Sequence, residues 1–297
     1  MTATLRQLLH GAIDYAGLFP PAALPLDAAA RAYAEYRVGP DAWALGRLML
    51  AARHLQPLAG LLPDFGATPP WPLGLTLGSH PQDDLELAAA FHHGAGATFA
   101  RVTGVEGRAS TPDEVRALLA AVPPEWDRFV ELPLDQDLAP LIAVLAEHGA
   151  GAKFRTGGVT ADGFPASEAL LGGLAAVVRA GIPFKCTAGL HHPVRGRYPL
   201  SYQPDGPSGM MYGYLNVLVT AALLAAGHPV AMVRRVLLEE DPAAFRADHE
   251  VLGWHDLLLD RNQLAEFRRG GLQGFGSCSF REPVDELLSL FHVTNAH

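Results

Sequence analysis

The chain has almost no lysine. Of its 22 basic residues only Lys153 and Lys185 are lysines; every other fixed cation is an arginine. Arginine keeps its proton inside a protein and cannot attack a carbonyl, whereas lysine can once burial or a second cation favours the neutral amine. Cysteine is equally scarce. Cys186 and Cys278 are too few for a disulfide framework, which suits a reducing cytoplasm. Net positive charge is missing too. A formal charge of -9, with no basic patch interleaved with aromatics, argues against a nucleic-acid partner. No apolar run reaches the ~20 residues of a spanning helix, so no membrane partner is expected. The nearest run, Val217 to Ala226, suits a core helix. The stretch Met1 to Gly11 does not have the pattern of a secretion signal, and no internal repeat or low-complexity tract stands out.

What is present is alternation. Short apolar runs alternate with amphipathic stretches from end to end, the pattern of a parallel sheet with helical crossovers. Strands are predicted at Gly11–Ala16, Gly46–Ala51, Leu73–Leu77, Thr98–Val102, Arg128–Leu132 and Leu272–Phe275, with two more carrying the lysines. Helices are predicted over Leu26–Tyr36, Leu55–Leu62, Pro81–His92, Leu138–His148, Pro165–Ala180 and Glu282–Phe291. Another opens at Ser110-Thr111-Pro112-Asp113-Glu114, which carries an N-cap residue, a proline and first-turn acids. Eight strands, each followed by a helix, give an α/β (β/α)₈ TIM barrel spanning residues 1–297 as one domain. A doubly wound sheet competes, but no G-x-G-x-x-G follows the first strand. The alternation breaks between 193 and 270. There a Pro/Gly/Tyr-rich loop precedes helices at Met210–Ala226 and Val230–Glu239 and a third, weak one. This segment is expected to be an insertion after strand seven that caps the barrel mouth.

Both lysines end apolar runs, in Gly151-Ala152-Lys153-Phe154-Arg155-Thr156 and Phe184-Lys185-Cys186-Thr187. Barrel active sites sit at the C-terminal ends of strands, so adjacent strands six and seven should bring the two amines together. Each ammonium then disfavours protonation of the other, and one amine becomes free to form a Schiff base. Thr156 and Thr187, in the turns that follow, are candidates for substrate binding. Arg155 lies two residues beyond Lys153 on the same strand face and is a candidate carboxylate clamp.

The stretch from Gly149 to Gly189 resembles deoxyribose-phosphate aldolase. The order Gly149-Ala150, Lys153 with Thr156-Gly157, Pro165-Ala166-Ser167-Glu168, then Phe184-Lys185 with Ala188-Gly189 is similar to that family's two lysine strands and the helix between them. Ile13-Asp14-Tyr15-Ala16-Gly17-Leu18 looks like its first strand, Gly276-Ser277-Cys278-Ser279 like its last, and Leu55-Gln56-Pro57-Leu58-Ala59 like its second helix. The resemblance implies a class I aldolase site with no cofactor. Lys153 would be the Schiff-base lysine and Lys185 the neighbouring cation. Asp14 would orient a water or the amine pair, unless it is a plain cap. Ser277 and Ser279 would help bind an anion at a helix start, where an ordinary N-cap competes.

Two departures bear on the substrate. By the nearest alignment Arg101 stands where the family has a fourth-strand acid, and it would bind a carboxylate. Leu190-His191-His192-Pro193 replaces the family's glycine-rich phosphate turn. Both shift the expected substrate from a phosphorylated sugar to a small anionic oxo-compound. His191 is then an acid–base candidate, His192 a substrate-binding one, and Glu131 the best carboxylate for proton transfer. Two rivals stay open. One is a metal-dependent lyase or hydrolase built from Glu131, His191 and His192, which would lose activity to a chelator. The other is a non-catalytic barrel that holds an anion with Arg101 and Arg155. Cys186 is expected in the core. Cys278, at a helix start, is open to a nucleophile's role but shows no histidine partner in sequence. A partner copy of the chain stays open, since nothing fixes a symmetry.

Overall fold

The computed structural model describes residues 1–66 and 69–293. It contains β1 (Ile13–Tyr15), β2 (Leu45–Ala51), β3 (Trp71–Thr76), β4 (Ala100–Arg108), β5 (Asp127–Glu131), β6 (Gly151–Arg155) and β7 (Phe184–Thr187). A hairpin of β8 (Gly196–Pro199) and β9 (Ser208–Met211) follows. Next comes a three-stranded antiparallel sheet of β10 (Phe245–Ala247), β11 (Val251–Trp254) and β12 (Leu257–Asp260), and then β13 (Leu272–Ser277). Strands β1 to β7 and β13 close into one parallel barrel, with β1 hydrogen-bonded to both β2 and β13. The expected (β/α)₈ TIM barrel is the fold. Among the described residues no helix is long and apolar enough to cross a membrane.

Local chemistry explains the outer helices. The helix Pro112–Ala121 starts at a capping box: Thr111 accepts from the Glu114 N–H, and Glu114 reaches back to the Thr111 N–H. Proline at its first position gives up no hydrogen bond there. On β6 and β7 the period of two separates the faces. Phe154 packs beneath Gly173 of the helix Ser167–Ala180, and Phe184 and Cys186 are fully buried. The lysines between them take the inner face.

The segment 193–270 differs from the expected three helices. Met210 and Met211 belong to β9, and the first helix begins later, at Tyr214–Ala225, followed by Val230–Leu237. The weak third helix is preceded by the β10–β12 sheet and runs over Arg261–Gly270. Only the part from Pro199 to Met211 borders the barrel mouth. The helix Tyr214–Ala225 packs against Ser167–Ala180 in the outer ring, and the small sheet lies beside the helix Ala3–Leu9, where Thr4 donates to Asp248 O.

Candidate active site

Lys153 and Lys185 are direct register partners on β6 and β7, and both point into the barrel. They meet through a carboxylate. Glu106, near the end of β4, turns Oε1 to Lys185 Nζ at 2.5 Å and Oε2 to Lys153 Nζ at 2.9 Å. Lys185 also pairs with Asp14 Oδ2 on β1 at 2.5 Å and lies over the Phe129 ring. Lys153 also pairs with Glu131 Oε2 on β5 at 2.9 Å, and Glu131 Oε1 meets Arg108 at 3.0 Å. Five alternating charges therefore run Asp14, Lys185, Glu106, Lys153, Glu131 across five strands.

Glu106 is the residue that sequence reasoning missed. The fourth strand was expected to stop at Val102, because Thr103-Gly104 and Gly107 look like turn residues. β4 continues to Arg108, with a register irregularity against β3 between Leu73 and Gly74. Its glycines fill tight places: a Cβ on Gly104 would lie 3.1 Å from Asp127 O, and one on Gly107 2.6 Å from Leu118. Glycine inside a strand marks such a close approach. The longer strand carries Glu106 to the mouth and leaves Arg101 exposed beside Pro72 at the far end, where it lines no part of the cavity. The arginine that reaches the mouth from β4 is Arg108.

The electrostatics also differ from two repelling amines. Burial pushes the Glu106 carboxyl up, but the ammoniums of Lys153 and Lys185 overcome it and hold it at about 2. Burial works against the Lys185 ammonium, yet Asp14 and Glu106 outweigh it and raise its proton affinity above the ordinary lysine value. Glu131 is shifted down against the effect of burial, by Lys153 first and then by Arg108 and Arg155. Lys185 is thus a cation held by two carboxylates, with Glu106 standing between it and Lys153.

These groups open into a cavity of about 890 Å³ at the C-terminal mouth, a volume typical of small-molecule sites. Lys153 (7% exposed) lines it and Lys185 (2% exposed) lies beneath. Glu131, Arg155, Thr187, His191 and His192 also line it. Arg53 and Arg155 on its rim are exposed, and among the described residues neither has an ion-pair partner. Three other expected contacts go elsewhere. Thr156 is buried outside the cavity and donates to Thr187 O and Ala188 O, tying two strand ends together. Ser277 is buried against His191, at 3.5 Å. Ser279 accepts from Glu282 N and caps the helix Arg281–Val293.

The two histidines part from Glu131. His191 Nδ1 lies 3.0 Å from Glu282, and His192 Nδ1 lies 2.8 Å from Glu286 while its ring stacks on Tyr198. The expected grouping of Glu131 with both histidines therefore does not form. The side chains among the described residues spaced to hold a metal ion are His192, Glu282 and Glu286. Comparison of the chain with protein-family models, with curated proteins and with solved structures finds no match.

Proposed function

We propose that the protein is a lyase of the class I aldolase type, in which Lys153 forms a Schiff base with a small anionic oxo-compound. The observation that carries this reading is the pair of inward lysines sharing one buried carboxylate, with only Lys153 open to the cavity. Charge balance favours the step. An ammonium and a carbonyl give an iminium and water with no net proton change, so the iminium inherits the attractions of Glu106 and Glu131. Preformed carboxylates of this kind stabilise developing positive charge in a dry site. The transient neutral amine needs a proton acceptor within reach, and Glu131 Oε2, 2.9 Å away, fits that role. The iminium then draws electrons from the adjacent carbon–carbon bond as it breaks, or supplies the enamine as it forms. The resemblance to deoxyribose-phosphate aldolase supports the same roles, and Glu106 stands on the strand where that family carries its acid.

The anionic part of the substrate follows from the rim. Arg53 and Arg155, exposed at the edge of the same cavity and without an ion-pair partner among the described residues, are suited to a carboxylate or phosphate. The test is borohydride trapping with a panel of oxo-acids and aldehydes, followed by peptide mass spectrometry. A reduced adduct on Lys153, lost in Lys153→Arg, is expected. An adduct on Lys185 alone, or none across the panel, overturns the proposal.

A further inference from the structure

A second reactive constellation borders the same cavity, on residues the lysine chemistry does not use. Cys278 follows β13, and His191 follows β7. Glu282 lies in the first turn of the helix Arg281–Val293, and Tyr202 in the loop between β8 and β9. All four line the cavity. Cys278 Sγ lies 3.9 Å from His191 Nε2, and His191 Nδ1 lies 3.0 Å from Glu282 Oε2. Tyr202 donates to the same Glu282 oxygen at 3.0 Å, with its hydroxyl 3.7 Å from Cys278 Sγ. Thus a nucleophile faces one nitrogen of a base whose other nitrogen is held by a carboxylate, and a hydroxyl anchors that carboxylate.

We propose that Cys278, His191 and Glu282 form a nucleophilic triad that takes an acyl group from an ester or thioester entering this cavity. The arrangement follows the general logic of a nucleophile, its base and a group that orients the base. With the thiol proton on His191 Nε2, Sγ attacks the acyl carbon. The S–C bond forms, the bond from carbon to the leaving oxygen or sulfur breaks, and the proton passes from His191 to the leaving group. Water, giving a proton to His191, then cleaves the new thioester, releasing the acid and restoring the thiol. The Glu282 carboxylate holds His191 Nδ1 and leaves Nε2 turned to the thiol. Glu282 and Tyr202 are positioning residues. Cys186 supplies an internal contrast: it is fully buried, has no such partner, and burial alone lifts its thiol to about 12.

The test uses the intact protein with p-nitrophenyl acetate and with the acetyl thioester of N-acetylcysteamine. A burst of p-nitrophenolate approaching one equivalent per chain is expected, with an acetyl mass on the Cys278 peptide from both probes. His191→Asn should slow acylation by about a hundredfold, the usual worth of a general base. Iodoacetamide should modify Cys278 faster than it modifies glutathione, leave Cys186 untouched, and abolish the burst in the wild-type chain. That result stands even where a variant fails to fold. His191 is faced by Cys278, Ser277 and Glu282, with His192 next to it in the chain. Glu282→Gln should therefore slow acylation of Cys278 and Glu282→Asp should restore part of it, which a merely structural role would not do. An acetyl mass only on Lys153, or no adduct from either probe, overturns the triad. So does equal Cys278 alkylation in wild type and His191→Asn. The Lys153 and Cys278 adducts fall on separate peptides, so each proposal can fail alone.

Discussion

At Glu106 one buried carboxylate bridges two ammoniums, each of which holds a second carboxylate as well. Removing its charge leaves Lys185 with Asp14 and Lys153 with Glu131, but it takes away the carboxylate between the two cations. Glu106→Gln is therefore expected to destabilise the protein in urea unfolding, by less than the roughly 3–5 kcal/mol of a buried pair that leaves a charge wholly unpartnered. It should also make Lys153 and Lys185 feel each other directly. The acid behaviour follows in sign. Glu106 is held at about 2 in the folded chain against an ordinary 4.5. Its contribution is complete above about pH 4.5 and is lost as pH falls towards about 2. Urea midpoints measured across that window should fall, and Glu106→Gln should flatten the fall. His191 runs the other way. Its proton affinity is raised from 6.5 to about 9, so its contribution is complete below about pH 6.5 and is lost as pH rises towards about 9. His191→Asn should remove that alkaline slope. The roles of these residues were unevenly legible. Lys153 and Lys185 announced themselves by residue type and strand position. Glu106 did not, because it stands among glycines that locally look like a turn.

At the level of single elements, strand geometry decides which groups can meet. Asp14 accepts from the Arg47 N–H at 2.6 Å through Oδ1 and from Lys185 through Oδ2. It fits only because position 46 is glycine: a Cβ there would lie 2.3 Å from Asp14 Oδ1 and 3.0 Å from Gly11 O. Gly46→Ala should push Asp14 away from Lys185 and lower the yield of the borohydride adduct, while circular dichroism still reports a folded barrel. A rise in that yield, or no change, would count against Asp14 as the anchor of Lys185. The hairpin β8–β9 illustrates the opposite case. Its Pro, Gly and Tyr content marks a loop, and its place after strand seven sets the expectation that it lies at the mouth. Its pairing, and the reach of Tyr202 to Glu282, depend on residues 80 positions apart. No local periodicity encodes such a contact.

Over the whole molecule, barrel closure gathers charge at one end. Negative groups sit deep, around the lysines, and Arg53 and Arg155 stand exposed at the rim. An anionic substrate would be drawn by the rim and held with its carbonyl at Lys153. Arg155→Glu is then expected to raise KM about tenfold, equivalent to about 1.4 kcal/mol, with little change in kcat. KM should also rise with salt, because rim charges are exposed and are screened beyond about 8 Å at physiological ionic strength. A KM indifferent to both changes would remove the rim from substrate recognition.

The sequence by itself determined the architecture and the two amines. The alternation of apolar runs with amphipathic stretches, and the period of two that puts Lys153 and Lys185 on one face, are local properties of a chain. Tertiary structure alone decided the company those amines keep. Lys185 and Glu106 stand 79 residues apart, and Cys278 and His191 stand 87 apart. They meet because eight strands close on themselves in one register. That closure turned an expected repulsion between amines into a bridged line of ion pairs, and it gave Cys278 the histidine that the sequence did not place beside it.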